Sequence, residues 1–269
     1  MGVVATLSTM AYPLFMLARL CSTLDHIAGR RFGWNTVTTG EETAPQNFGL
    51  DGPPGREQRY EMADEYVDLV CKLWDSWDAD AVVQGPATHT YADYRKVRPI
   101  DFKGKYFNCR GPLNTVPSPQ KRPAFVPAGG SSRGRAFAAK RADSVIATAP
   151  GIEGMKEYRD DIRRHAGAAG RNPGDAKVLY LAFPVIAETD EGAFAKHARM
   201  VSTPAFVERA LANTSINTDI DFSQFDRDEP LPEVSTGASQ GRWKSSPSAA
   251  MARRRASWRS RNTMAAGCG

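Results

Sequence analysis

The chain has 269 residues, 41% hydrophobic and 9% aromatic, enough for one large α/β domain and too apolar for wholesale disorder. No apolar run reaches the ~18–20 residues that a membrane-spanning helix needs, and the mean hydropathy of -0.44 agrees. The formal net charge of +5 arises at one end: Arg242 to Gly269 holds six Arg, one Lys and no acid, and removing those seven from 35 basic residues leaves 28 against 30 acids.

A body this faintly acidic gives no nucleic-acid face, and no membrane partner is expected. Cys21, Cys71, Cys109 and Cys268 stand alone without C-x-x-C spacing, which predicts buried thiols in a reducing, cytoplasmic setting. His26, His89, His165 and His197 are equally scattered, so no metal site is expected. Residues 1–6 fit a short myristoylation pattern, and residues 10–18 are apolar enough to imitate a signal peptide. The second lacks a basic start and is broken by Arg19. A buried strand over residues 3–8 accounts better for both.

In chain order, that β-branched strand is followed by a helix opened by Pro13 and ending near Gly29, then by a strand over 32–39. Residues 40–56 are rich in Gly, Pro and acids and predict a long loop. Tyr60, Ala63, Val67, Val70, Trp74 and Trp77 recur at three- and four-residue steps, predicting a helix over 59–77 with acids at its positive end. Residues 78–120 read as an irregular insertion with a hairpin at 102–107. Strands at 124–128, 144–148 and 178–186 alternate with helices at 134–141, 152–169 and 191–199. Strand–helix alternation of this kind means a parallel sheet with right-handed crossovers, doubly wound or closed as a barrel. Patterning fades after Asp219, Asn213-Thr214-Ser215 reads as loop, and 236–269 reads as a disordered basic tail after a domain over 1–235.

In a parallel sheet, ligands gather at the carboxyl ends of the strands. Three segments fall there. Ala128-Gly129-Gly130-Ser131 and the following Ser132-Arg133-Gly134 lie between a strand and a helix, where glycines admit a ligand, the helix start directs N–H groups at an anion, and Ser131, Ser132 and Arg133 add donors. A phosphate cradle and an ordinary serine-capped turn both fit this spacing. Asn35, Thr36, Thr38 and Thr39 end the second strand and could bind a polar heterocycle or cap the next element. Arg59-Tyr60 opens the long helix, either as phosphate donors or as a solvated Arg beside an amphipathic Tyr. Asp25-His26 imitates a dyad, but sequence neighbours do not share a helix face, and a packing role is expected. No G-x-S-x-G, Walker or H-E-x-x-H motif occurs.

Residues 20–29 leading into Trp34-Asn35-Thr36-Val37-Thr38-Thr39 resemble the bacterial-luciferase-like flavin monooxygenases. The likeness is to the nitrilotriacetate monooxygenase component A branch, with pristinamycin synthase and the dibenzothiophene-sulfone and long-chain alkane monooxygenases. Asn47-Phe48-Gly49, Arg59-Tyr60 through Leu73-Trp74, Gly111-Pro112-Leu113-Asn114, Pro117-Ser118-Pro119-Gln120 and Ala128-Gly129-Gly130-Ser131 with Phe137-Ala138-Ala139 carry it further, over residues 3–235. The resemblance implies a (β/α)8 TIM barrel that binds reduced FMN (FMNH2) delivered by a separate NAD(P)H:flavin reductase and oxygenates a small organic substrate with O2. It implies that Thr38 contacts the flavin while Tyr60, Ala128, Gly129, Gly130 and Ser131 hold its phosphate; it assigns no catalytic residue. Full-length relatives are expected to be homo-oligomers.

Departures from the pattern are also legible. The family's first two barrel strands have no counterpart here, the match decays after Glu233, and the tail reads like a shifted frame. That leaves about five of eight strands. Pro127 stands where the family usually has Gln, removing a polar side chain near the flavin. The expectation is therefore an FMNH2-dependent monooxygenase domain or, alternatively, a non-catalytic remnant that keeps flavin or phosphate binding.

Overall fold

A computed structural model describes residues 1–226, apart from 42 and 219. The expected tail at 236–269 lies outside these residues.

The first strand, β1 (Val3–Ser8), is joined by helix α1 (Leu14–Ala28) to β2 (Phe32–Val37). β1 and β2 run parallel in a six-residue register from Val3↔Phe32 to Ser8↔Val37. Helix α2 (Arg56–Trp74) follows, then an excursion with two hairpins, β3 (Val82–Gly85) with β4 (Thr90–Ala92) and β5 (Phe102–Lys103) with β6 (Asn108–Cys109). The chain returns as β7 (Ala124–Phe125), parallel to β2, and proceeds through α3 (Ser132–Arg141), β8 (Ser144–Ala147), α4 (Gly151–Ala168) and β9 (Lys177–Tyr180). β8 and β9 pair in parallel, and a parallel bridge from Ala128 to Ile146 links them to β7. Five parallel strands thus run in chain order, each crossover after β1 carrying a helix. This is an arc of a (β/α) barrel that does not close among the described residues.

The layer between the first strands and their helices is built on Trp34. It is fully buried, its indole N–H donates to Leu7 O at 2.9 Å, and its ring meets Tyr66, Trp74 and Phe125 at centroid separations of 6.4, 6.3 and 5.6 Å. Leu17, Ala18 and Cys21 of α1 and Val67, Val70 and Leu73 of α2 complete this cluster. Trp74 ties the two helices together through its indole N–H to Ala18 O at 3.0 Å. A second cluster, with Ala138, Ala142, Val145, Tyr158 and Ile162, packs α3 and α4 on β8.

Four expectations change. α2 ends at Trp74 rather than Trp77, because Ser76 Oγ donates to Leu73 O at 2.6 Å and accepts from Leu113 N, which turns the chain into the excursion. β2 stops at Val37: Thr39 has a positive φ of 45° and its hydroxyl bonds Ser8 Oγ at 2.5 Å. The last strand covers Lys177–Tyr180, not 178–186; Leu181 N still donates to Ala147 O at 3.0 Å, but Pro184 lacks an N–H, and Phe183 and Ile186 stay 90% and 74% exposed. Asn213-Thr214-Ser215 is helical, inside α6 (Pro204–Thr218), which follows α5 (Asp190–Ser202). Thr214 and Ser215 bond the carbonyls of Ala210 and Leu211, which lets poor helix formers sit there.

The excursion is pinned to α2 by two carboxylates, Glu61 through Lys105 Nζ and the Tyr106 hydroxyl, and Glu65 through the backbone. Glu65 accepts the backbone N–H groups of Lys105, Tyr106 and Phe107 at 2.9, 2.9 and 2.7 Å. A Cβ on Gly104 would collide with that carboxylate, so only glycine fits the turn. Gly104→Ala should therefore cost about 1–3 kcal/mol of unfolding free energy. A urea midpoint equal to that of the parent chain would contradict this anchoring.

Candidate functional site

The carboxyl ends of β1, β2 and β7 open on one side, and α2 and α3 begin there. α3 is capped by Ser131, whose Oγ accepts from Gly134 N at 3.1 Å, satisfying one of the orphan N–H groups of a helix start. The turn before it is held from behind. Tyr158 of α4 donates its hydroxyl to Gly129 O at 2.5 Å, and burial pushes this phenol up to about 12, so it remains a proton donor. Gly129 lies against the first turn of α3, where an added Cβ would stand 2.7 Å from Gly134 O and 3.2 Å from Arg135 N. Gly130 has nothing within 4 Å of such a position and faces open space.

Tyr60, on the first turns of α2, reaches the same place. A Cβ on Gly134 would lie 2.7 Å from the Tyr60 hydroxyl and 3.2 Å from Ser131 Oγ. The two hydroxyls therefore converge on one point at the amino terminus of α3, beside exposed Gly130 and Ala128. Thr38 is half-buried at the end of neighbouring β2, at the same end of the sheet but without a contact to this pair. Asn35 lies one register step from Trp34 and so projects from the opposite face of β2. Its amide donates to Thr6 Oγ1 at 2.9 Å, while its Oδ1 is buried and has no partner.

Arg133 corrects the sequence reading. It was expected to add donors to the turn, yet its guanidinium turns to α2, with Nε 2.9 Å from Glu57 and Nη2 2.8 Å from Asp64. Burial opposes the charge on Asp64, but the hydrogen bond from Arg133 and the charge of Arg141 outweigh it and hold its carboxyl below the ordinary range. Arg59 also turns from the pair. It is only 6% exposed, and Nη1 donates to Pro54 O at 2.7 Å beneath the loop after β2. Burial and the charge of Arg56 lower its pKa, and its Nε has no partner.

Asp25 and His26 part company as expected. Asp25 is fully buried and accepts from Ser118 Oγ and from the backbone and side chain of Gln120, whereas His26 Nε2 lies 3.1 Å from Pro117 O. Both fasten the 117–120 segment to the end of α1. Burial raises the thiols of Cys71 to about 11 and Cys21 to about 12, leaving them unreactive. Among the described residues no cluster of His, Cys, Asp or Glu could hold a metal, and no helix is long and apolar enough to cross a membrane. Sequence reasoning missed Tyr158 and Gly134. The first lies on another helix and carries no local signal; the second stood inside the quoted turn but was not given a role.

The chain matches the luciferase-like monooxygenase profile over residues 3–265. It belongs to that family. Members of this flavin-dependent oxidoreductase family include dibenzothiophene-sulfone monooxygenase of Rhodococcus erythropolis, 36% identical over 234 residues, which cover 87% of this chain and 51% of that protein. Nitrilotriacetate monooxygenase component A of Aminobacter aminovorans is 35% identical over 234 residues, 86% of this chain and 51% of its own length. The solved structure of a riboflavin lyase with modified FMN and riboflavin superposes with a TM-score of 0.80 at 35% identity, covering 93% of this chain and 55% of that one. The chain thus spans about half the length of the luciferase-like relatives it matches.

The glycine geometry of the turn separates two neighbours. Gly129→Ala should destabilise the fold by about 1–3 kcal/mol, whereas Gly130→Ala should change it by under about 0.5 kcal/mol. Equal urea midpoints for the two variants would contradict the packing of Gly129 on α3.

Proposed function

We propose that this chain supplies the flavin-phosphate grip of an FMNH2-dependent, two-component monooxygenase that oxygenates a small organic substrate with O2. The observation that carries the reading is the convergence of the Tyr60 hydroxyl and Ser131 Oγ beside Gly134 at the start of α3. Both hydroxyls can donate to phosphate oxygens, and Ala128 and Gly130 are exposed on either side of buried Gly129, which lets a ligand approach the backbone of the turn, helped by the positive end of the α3 dipole. The partnerless Asn35 Oδ1 fits an N–H on the edge of a flavin ring, and Thr38, just past the end of the same strand, would contact it. The residues present therefore fit FMN.

Bound reduced flavin supplies the activation of O2; the protein's part is to orient the ring and keep water from it. Tyr60, Ser131 and the turn fix one end of the cofactor. The loop over 40–55, tied down through Arg59 to Pro54 O, leaves the end of β2 on the same side of the sheet. A relative designated component A supports a separate NAD(P)H:flavin reductase as the partner. A second reading, flavin binding without turnover, is favoured by the open sheet edges, where Val3 and Val4 of β1 and Leu179 of β9 are exposed.

Anaerobic equilibrium dialysis with FMNH2 tests the grip, and addition of a flavin reductase, NADH, 18O2 and a substrate panel of sulfones, thioethers and aminopolycarboxylates tests turnover. A Kd of about micromolar order is expected, weakened about five- to tenfold in Tyr60→Phe and in Ser131→Ala. Labelled product supports the oxygenase; binding without labelled product supports the second reading. No binding at millimolar flavin overturns both.

A further inference from the structure

The guanidinium of Arg133 lies over the Tyr60 ring, and its charge is spent on carboxylates of α2. Arg133 is the second residue of α3, and its guanidinium lies 5.1 Å above the centroid of the Tyr60 ring. From there it reaches Glu57 and Asp64, which stand on α2 one turn before and one turn after Tyr60. The Tyr60 ring also packs against Phe137, one turn further along α3, at 5.7 Å and an interplanar angle of 55°. Residues 133, 134 and 137 of α3 thus all meet Tyr60: a cation and a phenyl ring at its ring, and a glycine beside its hydroxyl.

We propose that Arg133 is a positioning residue that sets the gap between Tyr60 and Ser131, and hence the enzyme's preference for a phosphorylated flavin, without itself binding the phosphate. This rests on the phosphate-grip reading above. The charge of Arg133 is engaged by two carboxylates, and burial is outweighed by those two partners in keeping it protonated. What it contributes is a bridge from α3 to α2 across the Tyr60 ring. Without the bridge the phenol keeps its ring contact with Phe137 but gains freedom to swing from the start of α3. The phosphate is then held by neutral hydroxyls and backbone N–H groups, while the Arg133 guanidinium acts through the tyrosine.

The test compares Kd values for reduced FMN and reduced riboflavin, by anaerobic equilibrium dialysis, in the parent chain, Arg133→Met, Tyr60→Phe and the double variant. Riboflavin lacks the phosphate, so its affinity reports an intact ring site, and the ratio of the two constants isolates the grip. The parent should prefer FMN by about tenfold or more, and Arg133→Met should lower that preference about three- to tenfold with riboflavin binding unchanged. The double variant should match Tyr60→Phe within about twofold, because Arg133 has nothing left to position once the hydroxyl is gone. A preference unchanged in Arg133→Met overturns the proposal. So do multiplicative losses in the double variant, which would make Arg133 a phosphate ligand in its own right. Absence of any FMN preference in the parent overturns the grip and this proposal together. Should Arg133→Met fail to bind riboflavin, Glu57→Gln removes one bridge from the exposed rim and is read by the same ratio: a lowered preference supports the proposal and an unchanged one overturns it.

Discussion

Two helices that begin on different strands can share one anion only if their first turns come within a side chain's reach. Here that approach depends on the absence of two β-carbons. Without a Cβ, Gly134 leaves room for the Tyr60 hydroxyl of α2, and Gly129 lies against the Gly134 carbonyl with no space for a larger residue. Everything proposed for the site follows from this close contact. It brings a phenol, a capping serine and the unsatisfied N–H groups of a helix start into one small volume.

The contact is supported from layers that never face the ligand. Trp34 packs β2 against α1 and α2, and its bond to Leu7 O holds the indole on β1, which fixes where α2 stands relative to the sheet. Asp143 accepts from Arg122 and from Phe125 N, tying β7 to the start of β8, and so fixes the strand from which the turn departs. Tyr158 then holds the turn itself, and Arg141 joins Arg133 in gripping Asp64 of α2. A luciferase-like barrel normally closes on itself; in this chain the five-strand arc gets its order from such cross-layer ties.

Much of this was legible in the sequence because it is written locally. The β-branched run at 3–8, the apolar steps along α2 and the Gly-rich turn before α3 each carry their own signal and each formed its element, although β1 leaves Val3 and Val4 exposed rather than buried and α2 spans 56–74 rather than 59–77. The errors have a common cause. Trp77 continues the helical spacing but follows Ser76, whose partner Leu113 is far along the chain. Strand β9 stops early because Pro184 lacks an N–H to extend it, and α6 forms in spite of threonine and serine because their hydroxyls find carbonyls one turn back. At the site, the turn and Tyr60 could be picked out singly, but not the direction of Arg133. A guanidinium beside a glycine turn looks like an anion donor until the acids of α2 are seen next to it.

The central claim is that the Tyr60 hydroxyl and Ser131 Oγ together receive the phosphate of a flavin. A crystal structure of the chain soaked with FMN tests it most directly. The account predicts phosphate oxygens at about 2.5–3.0 Å from both hydroxyl oxygens, with the isoalloxazine ring lying toward Asn35 and Thr38. A phosphate seated elsewhere, or one that touches only one of the two hydroxyls while Arg133 leaves Glu57 and Asp64 to reach it, would contradict the account.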